Sequence, residues 1–496
     1  MNDLRIWVDD LLGRITMYRL VVYGLLAIAL AAIGLMFTGY LSYSPIGFLI
    51  SILLCVGSSY GLNRLFGWLF GVRPHAESAI ITGLILALLF SPPVTLLAGV
   101  KVLLVVTLAN LSKYLLVVRS KHIFNPTAIA VVIAGASGLA FATWWIATPA
   151  LLPVTIIVAL LILYKTQKIQ MALTFLAVAV IMIILMEVSR GTASPQSISL
   201  SLTSWPLVFF AGVMLSEPLT LAPRKRQQLM VAAIVGVLMT LSIHYGALSM
   251  TPALALVIGN GISFWYSIRR SVKLRLASTK RQGADGHELV FDTPPFNFLP
   301  GQFIELSLPH RHADSRGMRR VFSIVGQPQD EQISIATRVP EKPSSFKRAL
   351  MAIKPGQILY GTRVGGDFVL PTDSSVPVVC IAGGIGITPF ISFLQSAGQR
   401  KLTIIYAVKK LTDLMFVDQL RHYNATIIVV SSDKGRLPEA DWKLEEGRLT
   451  QDILEKYVSA DSHIYISGAP TMVTTTKELA HQAGATHVHT DLFSGY

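Results

Sequence analysis

Ten apolar runs crowd the first 270 residues, at about 20–40, 46–68, 78–92, 95–117, 126–147, 149–165, 169–188, 204–221, 227–245 and 249–268. Each is long enough to cross, or nearly to cross, the roughly 30 Å of hydrocarbon in a bilayer. Lipid offers no partner to a backbone N–H or C=O, so runs of this length and number leave a helical bundle as the fold open to this half. The third and sixth runs are the shortest. The hydrophobic fraction of 52% and mean hydropathy of +0.57 are too high for a soluble chain, and the apolar excess lies in this half.

Charge placement orients the bundle. The net charge is +14, and the cations sit near the ends of the apolar runs. Arg5, Arg14, Arg19, Arg64, Arg73, Lys113, Arg119, Lys121, Lys165, Lys168, Arg224, Lys225, Arg226, Arg269, Arg270, Lys273 and Arg275 fall on one side of a ten-span alternation. Only Lys101 and Arg190 fall on the other. Cationic loops stay in the cytoplasm, so the expectation is a multi-pass protein of the cytoplasmic (inner) membrane, in contact with lipid and with both termini inside. No nucleic-acid motif and no basic stripe interleaved with aromatics is present, which argues against a nucleic-acid partner. The two cysteines, Cys55 and Cys380, lack CxxC partners, so one copy of the chain cannot ligate an iron–sulfur cluster with four thiolates. The first 19 residues carry charges but no small-residue cleavage site, so a retained first helix is expected.

Polar residues interrupt the runs at three places: Pro74-His75-Ala76-Glu77-Ser78, His122-Ile123-Phe124-Asn125-Pro126-Thr127 and Ser216-Glu217-Pro218-Leu219-Thr220. Taken singly these read as helix caps, Asn125 before Pro126 being a good N-cap followed by proline at the first helical position. Taken together they cluster on the cytoplasmic side, and ionisable groups at such depth point to function. With residues 77–86, 122–126 and 214–220 in this order, the half from 20 to 268 resembles the membrane subunits of Rnf complexes and sodium-pumping NADH:quinone oxidoreductases. That resemblance implies a bundle that takes part in electron transfer, with a possible second, non-covalent flavin in the membrane half. The Ser-Gly-Ala-Thr type of segment that carries a covalent flavin in that family is absent; Gly191-Thr192-Ala193-Ser194 is the nearest stretch and lacks the pattern.

After residue 270 the composition becomes that of a soluble protein. Residues 271–282 form a basic connector, and strand patterns at 287–292, 302–307, 320–325 and 332–339 predict a small antiparallel barrel over 271–373. From 374 to 496 strand and helix patterns alternate, which predicts a parallel sheet with crossover helices. Directly after the first of these strands stands Gly383-Gly384-Ile385-Gly386-Ile387-Thr388-Pro389. A glycine turn there lets backbone N–H groups approach a pyrophosphate. The reading is therefore a three-domain chain: membrane bundle 1–270, barrel 271–373, α/β domain 374–496.

This second half resembles the ferredoxin–NADP reductase-like family through Arg320-Val321-Phe322-Ser323, the 383–389 turn, Ile466-Ser467-Gly468-Ala469-Pro470 and the terminal Phe493 and Tyr496. The resemblance implies FAD, with FMN as the lesser alternative, on the barrel, and NADH or NADPH on the sheet. Arg320 would bind a flavin phosphate, Phe322 would stack where relatives have tyrosine, and Ser323 would reach the ring system. Ser344 or Ser345 would meet the second phosphate. Gly383, Gly384, Gly386, Thr388, Pro389 and Gly468 would form the dinucleotide cradle. Ser467 would stand beside the nicotinamide, and Tyr496 would lie over the flavin, the two residues nearest the hydride. Against each stands a bland alternative: a surface salt bridge for Arg320, a strand-edge hydroxyl for Ser323, a frayed terminus for Tyr496. Asp433 after its strand suits a free ribose and NADH, whereas Lys434 and Arg436 suit a 2′-phosphate.

The function expected is a membrane flavoprotein reductase passing electrons from cytoplasmic NAD(P)H through FAD to a quinone, a bound flavin or a partner redox subunit. Two alternatives stand beside it. A ferric-reductase-like haem enzyme would need stacked histidine pairs, and this half holds only His75, His122 and His244. A redox-sensing transporter would need no hydride chemistry at all.

Overall fold

The structure is a computed structural model of the 496-residue chain. It describes residues 12, 15–72, 74–118, 121–241, 243–245, 248–267, 271–310, 313–314, 317–398, 400–433, 435–439 and 441–493. The chain divides into two units: Arg14–Arg269 is one, and Arg270–Tyr496 with Met1–Gly13 is the other.

The first unit is helical: α1 (Met17–Phe37), α2 (Pro45–Leu69), α3 (Ala76–Leu89), α4 (Leu96–Leu115), α5 (Pro126–Ala136), α6 (Leu152–Thr166), α7 (Ile169–Ser189), α8 (Pro195–Ser204), α9 (Lys225–Thr240) and α10 (Pro252–Tyr266). Hydroxyl and amide caps start many of them. Thr16, Ser44, Thr95, Asn125 and Thr251 each accept a bond from an N–H of the first turn, and α2, α5 and α10 have proline at their start. The expected cap at Asn125 is formed.

The expected ten spans are not. Four helices, α1, α2, α4 and α7, are long and apolar enough to cross a membrane, or five if the bent pair Pro195–Ser204 and Leu207–Met214 counts as one. Prolines and glycines cut three of the remaining runs, because a hydropathy count is blind to a missing N–H or a left-handed residue. The 78–92 run ends at Leu89, before Pro92 and Pro93, and the 126–147 run ends at Ala136, before Gly138 at φ 68°. The 204–221 run bends by 41° around Pro206 and continues as a π-helix, Phe210–Met214. At 1.5 Å per residue the 11 residues of α5 span only about 16 Å.

Short α3 lies at the centre of this unit, its residues Leu84 to Leu89 almost wholly buried among α1, α2 and α4. A Cβ on Gly83 would stand 2.6 Å from the Cα of Val56, so glycine allows the α2–α3 crossing. Asn110 Nδ2 donates to Ser59 Oγ (2.9 Å), whose hydroxyl donates to Ala79 O (2.8 Å), tying α4, α2 and α3 through polar groups. Two of the three interrupted stretches meet directly, and the first is tied to α4. Asn125 Nδ2 donates to Glu217 Oε2 (2.8 Å), Asn260 Oδ1 accepts from Asn125 N (2.8 Å), and Lys113 Nζ donates to Ser78 O (3.1 Å). Thr192, in the stretch nearest a covalent-flavin segment, gives its hydroxyl to Glu187 Oε2 at 2.8 Å.

The second unit holds two sheets. The first comprises β1 (Val272–Gln282), β2 (Gly286–Asp292), β3 (Phe303–Ser307), β4 (Arg319–Ser323), β5 (Gln332–Arg338) and β6 (Ile358–Gly365). The order is β4-β3-β6-β1-β2-β5 and every pairing is antiparallel. Alternation drives it: Val272, Leu274 and Leu276 point inward from β1 while Lys273 and Arg275 point out. The strands expected to form a small barrel make one six-stranded antiparallel sheet, whose two edges meet at a single bridge, Val325 to Ser334, just past β4. Helix α11 (Ser345–Met351) follows β5.

The second sheet comprises β7 (Val378–Gly383), β8 (Leu402–Ala407), β9 (Ala425–Ser431), β10 (Lys443–Glu446), β11 (His463–Gly468) and β12 (His487–Leu492), all parallel, in the order β10-β9-β8-β7-β11-β12. Buried on both faces, β7 reads as an unbroken apolar run, as a central parallel strand must. Helices α12 (Thr388–Ser396) and α13 (Val417–Arg421) cover one face, and α14 (Gln451–Glu455) and α15 (Pro470–Gln482) the other. Cys380 is a free, buried thiol, which burial pushes up from its ordinary range; Cys55 is likewise buried and unbridged.

Candidate functional site

Strands β7 and β11 are neighbours, with Ala382 opposite Ser467, so both chemistry-bearing turns emerge from the same end of the sheet. Gly384 (φ 54°) opens a 3-10 turn, Gly384–Ile387, which leads into α12 through Thr388 and Pro389. The Thr388 hydroxyl donates back to Ile385 O at 2.7 Å and fixes the turn. The two turns touch so closely that a Cβ on Gly386 would stand 2.1 Å from Ser467 O, and one on Gly383 would stand 2.9 Å from Met472 Sδ. Gly468, at φ 155°, faces Gly383 across the same gap. Ser467 is wholly buried and its Oγ has no hydrogen-bond partner. Gly383, Gly384, Gly386, Thr388, Pro389, Ser467 and Gly468 are thus brought together as the sequence predicts. Tyr496 lies outside the described residues. The chain that leads to it is held here, because Phe493 N donates to Gly468 O at 2.9 Å.

Two charged residues that the sequence reading did not assign to the site belong to it. Asp491 pairs with Ser467 in the β11–β12 register, and burial pushes its carboxyl up to about 7. Arg338, at the end of β5, places Nη1 at 3.5 Å from the position a Gly384 Cβ would take. Asp285 (2.6 Å) and Asp413 (3.6 Å) hold its guanidinium; the bond to Asp285 chiefly raises its pKa.

The antiparallel sheet builds a second cluster. Arg320 is nearly buried: Nη1 donates to Arg319 O (2.6 Å) and Gly317 O (3.2 Å), Nη2 lies 3.4 Å from Asp314 Oδ1, and the guanidinium sits 5.0 Å over the ring of Phe346. Phe322 stacks on Phe346 with centroids 6.1 Å apart. Ser344 caps α11 by accepting from Lys347 N (3.3 Å), which places Ser345 as the first helical residue. Ser345 Oγ accepts from Asp314 N (2.9 Å) and lies 3.0 Å from His310 Nε2. His310 Nδ1 faces Leu308 O at 2.9 Å, so Nδ1 carries the proton and Nε2 accepts from the Ser345 hydroxyl. Ser323 is buried at the end of β4, opposite Phe303. Arg320, Phe322, Ser344 and Ser345 are therefore one constellation, and His310 and Asp314 are members that no motif announced.

These features fit the groups the sequence implies. The first cluster offers a side-chain-free backbone concavity, an orphaned hydroxyl and a nearby guanidinium, which suit a dinucleotide. The second offers a cation, hydroxyls and two phenyl rings, which suit a flavin and its phosphates. Asp433 is less available than its position after β9 suggests: Oδ2 accepts from Leu411 N (3.0 Å) and Oδ1 from Gly435 N (3.3 Å). Lys434 lies outside the described residues.

The comparisons agree with this geometry. Residues 380–478 match the oxidoreductase NAD-binding domain family. Flavohemoprotein B of Dictyostelium discoideum is 26% identical over 237 residues, 42% of this chain and 53% of that protein. The propane 2-monooxygenase reductase component of Mycolicibacterium goodii is 27% identical over 198 residues, 36% of this chain and 53% of that protein. The chain spans about half the length of these curated relatives. Among solved structures, the flavohem-like FAD/NAD-binding domain of nitric oxide dioxygenase from Vibrio cholerae is 16% identical, covering 45% of this chain and 98% of its own, with a TM-score of 0.38. The C-terminal half thus resembles a ferredoxin–NADP reductase-like module, with residues 380–478 matching the oxidoreductase NAD-binding domain family.

Proposed function

We propose that the chain is an NAD(P)H-dependent flavin oxidoreductase anchored in the cytoplasmic membrane. It would take a hydride from cytoplasmic NAD(P)H and pass the electrons to a membrane acceptor: a quinone, a flavin in the helical unit or a partner redox subunit. The observation that carries this reading is the locked pair of turns, 383–386 against Ser467 and Gly468. It leaves backbone and one unpartnered buried hydroxyl at the end of a parallel sheet. FAD, when bound, supplies the two-electron chemistry. The protein's part is placement: Arg320, Ser344 and Ser345 toward the flavin phosphates, Phe322 and Ser323 toward its ring, and Gly384, Gly386 and Arg338 toward the pyrophosphate of the nicotinamide cofactor. Ser467 would orient the nicotinamide by its hydroxyl, and the resemblance assigns Tyr496 to the flavin. Hydride transfer depends on this proximity more than on acid–base chemistry.

Anchoring is supported by the four helices long and apolar enough to cross a membrane, and the cations at the ends of the apolar runs support a cytoplasmic side for both termini. The resemblance to Rnf-type membrane subunits makes the helical unit the route to the acceptor. The NADH preference rests on Asp433, whose remaining lone pairs face a free ribose more favourably than a 2′-phosphate; kcat/KM measured with both cofactors tests it, and a higher value with NADPH overturns it. An optical spectrum of the purified protein with and without NADH tests the whole reading. A flavin absorbance that bleaches on NADH addition supports it; absence of flavin, or flavin that NADH leaves oxidised, sinks it.

A further inference from the structure

Arg338, the last residue of β5, sits between the two sheets with its donors divided three ways. Its Nε donates to Asp285 Oδ1 at 2.6 Å, a charge-assisted bond to the adjoining turn of the same sheet. Backbone fixes that partner, since Arg338 pairs with Gly286 in the β2–β5 register and Val339 N donates to Asp285 O at 2.8 Å. Its Nη1 faces the glycine turn, 3.5 Å from the position of a Gly384 Cβ. Its Nη2 faces Asp413 Oδ1 at 3.6 Å, an ion pair too long to be a hydrogen bond. Asp413 belongs to the parallel sheet, where it ends the 3-10 turn Leu411–Asp413 after β8. That turn is pinned from both sides. Leu411 N donates to Asp433 Oδ2 at 3.0 Å, and Phe416 N donates to Gln282 Oε1 at 3.0 Å. Gly283 (φ 59°) seats the β1–β2 turn on the same loop so closely that a Cβ there would stand 2.9 Å from Leu414 O.

Orientation of the guanidinium does not account for Asp413. The bond to Asp285 already fixes its plane, whereas Asp413 makes no hydrogen bond to it. The Asp413 carboxylate is 13% exposed, and among the described residues Arg338 is the one cation paired with it. A shielded carboxylate beside a turn that suits an anion opposes that anion. We propose that Asp413 is a counter-charge that weakens the hold of Arg338 and the Gly384–Gly386 turn on the pyrophosphate of the nicotinamide cofactor, so that oxidised cofactor leaves quickly. This rests on the dinucleotide reading of that turn. One guanidinium against two carboxylates leaves the trio one negative charge overall. An arriving pyrophosphate therefore meets a correctly aimed donor edge without an excess of positive charge.

Such attenuation has a kinetic use. The reduced and oxidised cofactors share the same pyrophosphate, so a stronger grip there holds substrate and product alike and does nothing for the hydride step. Tight product then leaves slowly, and release sets turnover in many enzymes. A brace between the sheets is the alternative role for Asp413, and the two roles differ in sign. Cutting a brace loosens the interface and weakens binding. Neutralising a counter-charge strengthens it.

The test uses the full-length, flavin-loaded protein and two competitors of NADH: ADP-ribose, which carries the pyrophosphate, and adenosine, which has no phosphate. Asp413→Asn keeps the shape and removes the charge. It should tighten ADP-ribose and NAD⁺ about tenfold, the effect of one elementary charge some 10 Å away at the dielectric near a protein surface, and leave adenosine unchanged. NAD⁺ dissociation, followed by stopped flow, should slow by a similar factor. Asp413→Glu restores the charge and should return both quantities toward wild type. Asp413→Ser removes the charge with a smaller side chain and should act as Asp413→Asn does; tighter ADP-ribose in either neutral variant supports the proposal. Binding of ADP-ribose that is unchanged or weaker in both overturns it, as does an equal gain for adenosine. Wild-type protein that holds flavin but binds neither ADP-ribose nor NAD⁺ overturns the dinucleotide reading of the turn instead.

Discussion

Gly386 is the residue least able to change. Its Cβ would enter the backbone of Ser467 at 2.1 Å, and backbone on a central strand has nowhere to retreat. Gly386→Ala should therefore force the two turns apart, costing about 1–3 kcal/mol as overpacking does. It should raise KM for NAD(P)H at least roughly tenfold, which corresponds to about 1.4 kcal/mol of lost binding, while flavin content, measured by absorbance, stays near wild type. Arg320→Ala should have the opposite signature: low flavin occupancy, from the loss of a guanidinium set between Asp314 and Phe346. Arg320→Lys should not restore it, because an ammonium lacks the planar fork and the stacking face. Normal flavin occupancy in Arg320→Ala removes the site assignment. Glycines and the Arg-x-Phe-Ser string were legible because each acts through its own local backbone or strand. His310 and Asp314 were not, since they reach Ser345 from a patternless loop more than thirty residues earlier.

At the scale of elements, β12 shows what a sequence pattern conceals. Asp491 reads as part of a chain terminus, and only the register with β11 sets it beside Ser467. Its carboxyl is raised from 3.8 to about 7 by burial, so the fold favours the neutral form. The folded state then binds more protons than the unfolded state between these two values, and stability falls as pH rises through that window. The penalty is absent below about pH 4 and complete above about pH 7. Asp491→Asn, which cannot ionise, should raise Tm relative to wild type at pH 8, and the difference should shrink toward zero at pH 4. A difference that grows on acidification contradicts the buried carboxyl. The helices teach the same lesson from the other side. Their existence and the cap at Asn125 were readable, but their lengths were not, because hydropathy counts side chains while Pro92, Pro206 and Gly138 act on the backbone.

At the scale of the whole chain, the two units place different demands on the sequence. The C-terminal unit needs strand register and turn chemistry, whereas the helical unit needs apolar length and an orientation in the bilayer. Orientation is the property that the shortened helices put most at risk, because four or five crossings and ten crossings make different predictions for the loops. An even number of crossings keeps the C-terminal unit on the same side as residue 19; an odd number moves it across. The cations favour the even number. Arg224, Lys225 and Arg226 stand at the start of α9, Lys273 and Arg275 follow α10 in the sequence, and such clusters resist translocation. The prediction is therefore an even number of crossings, with α3, α5, α6, α9 and α10 filling the bundle as short or partial spans. NAD(P)H is a cytoplasmic reductant in this reading, so the topology must also hold for the chemistry to work. A reporter active only in the periplasm, fused after Tyr496, should be silent, and a cytoplasmic reporter at the same point should be active. The reverse pattern would place the glycine turn of 383–386 outside the cell, away from its reductant, and would sink both the orientation and the NAD(P)H assignment.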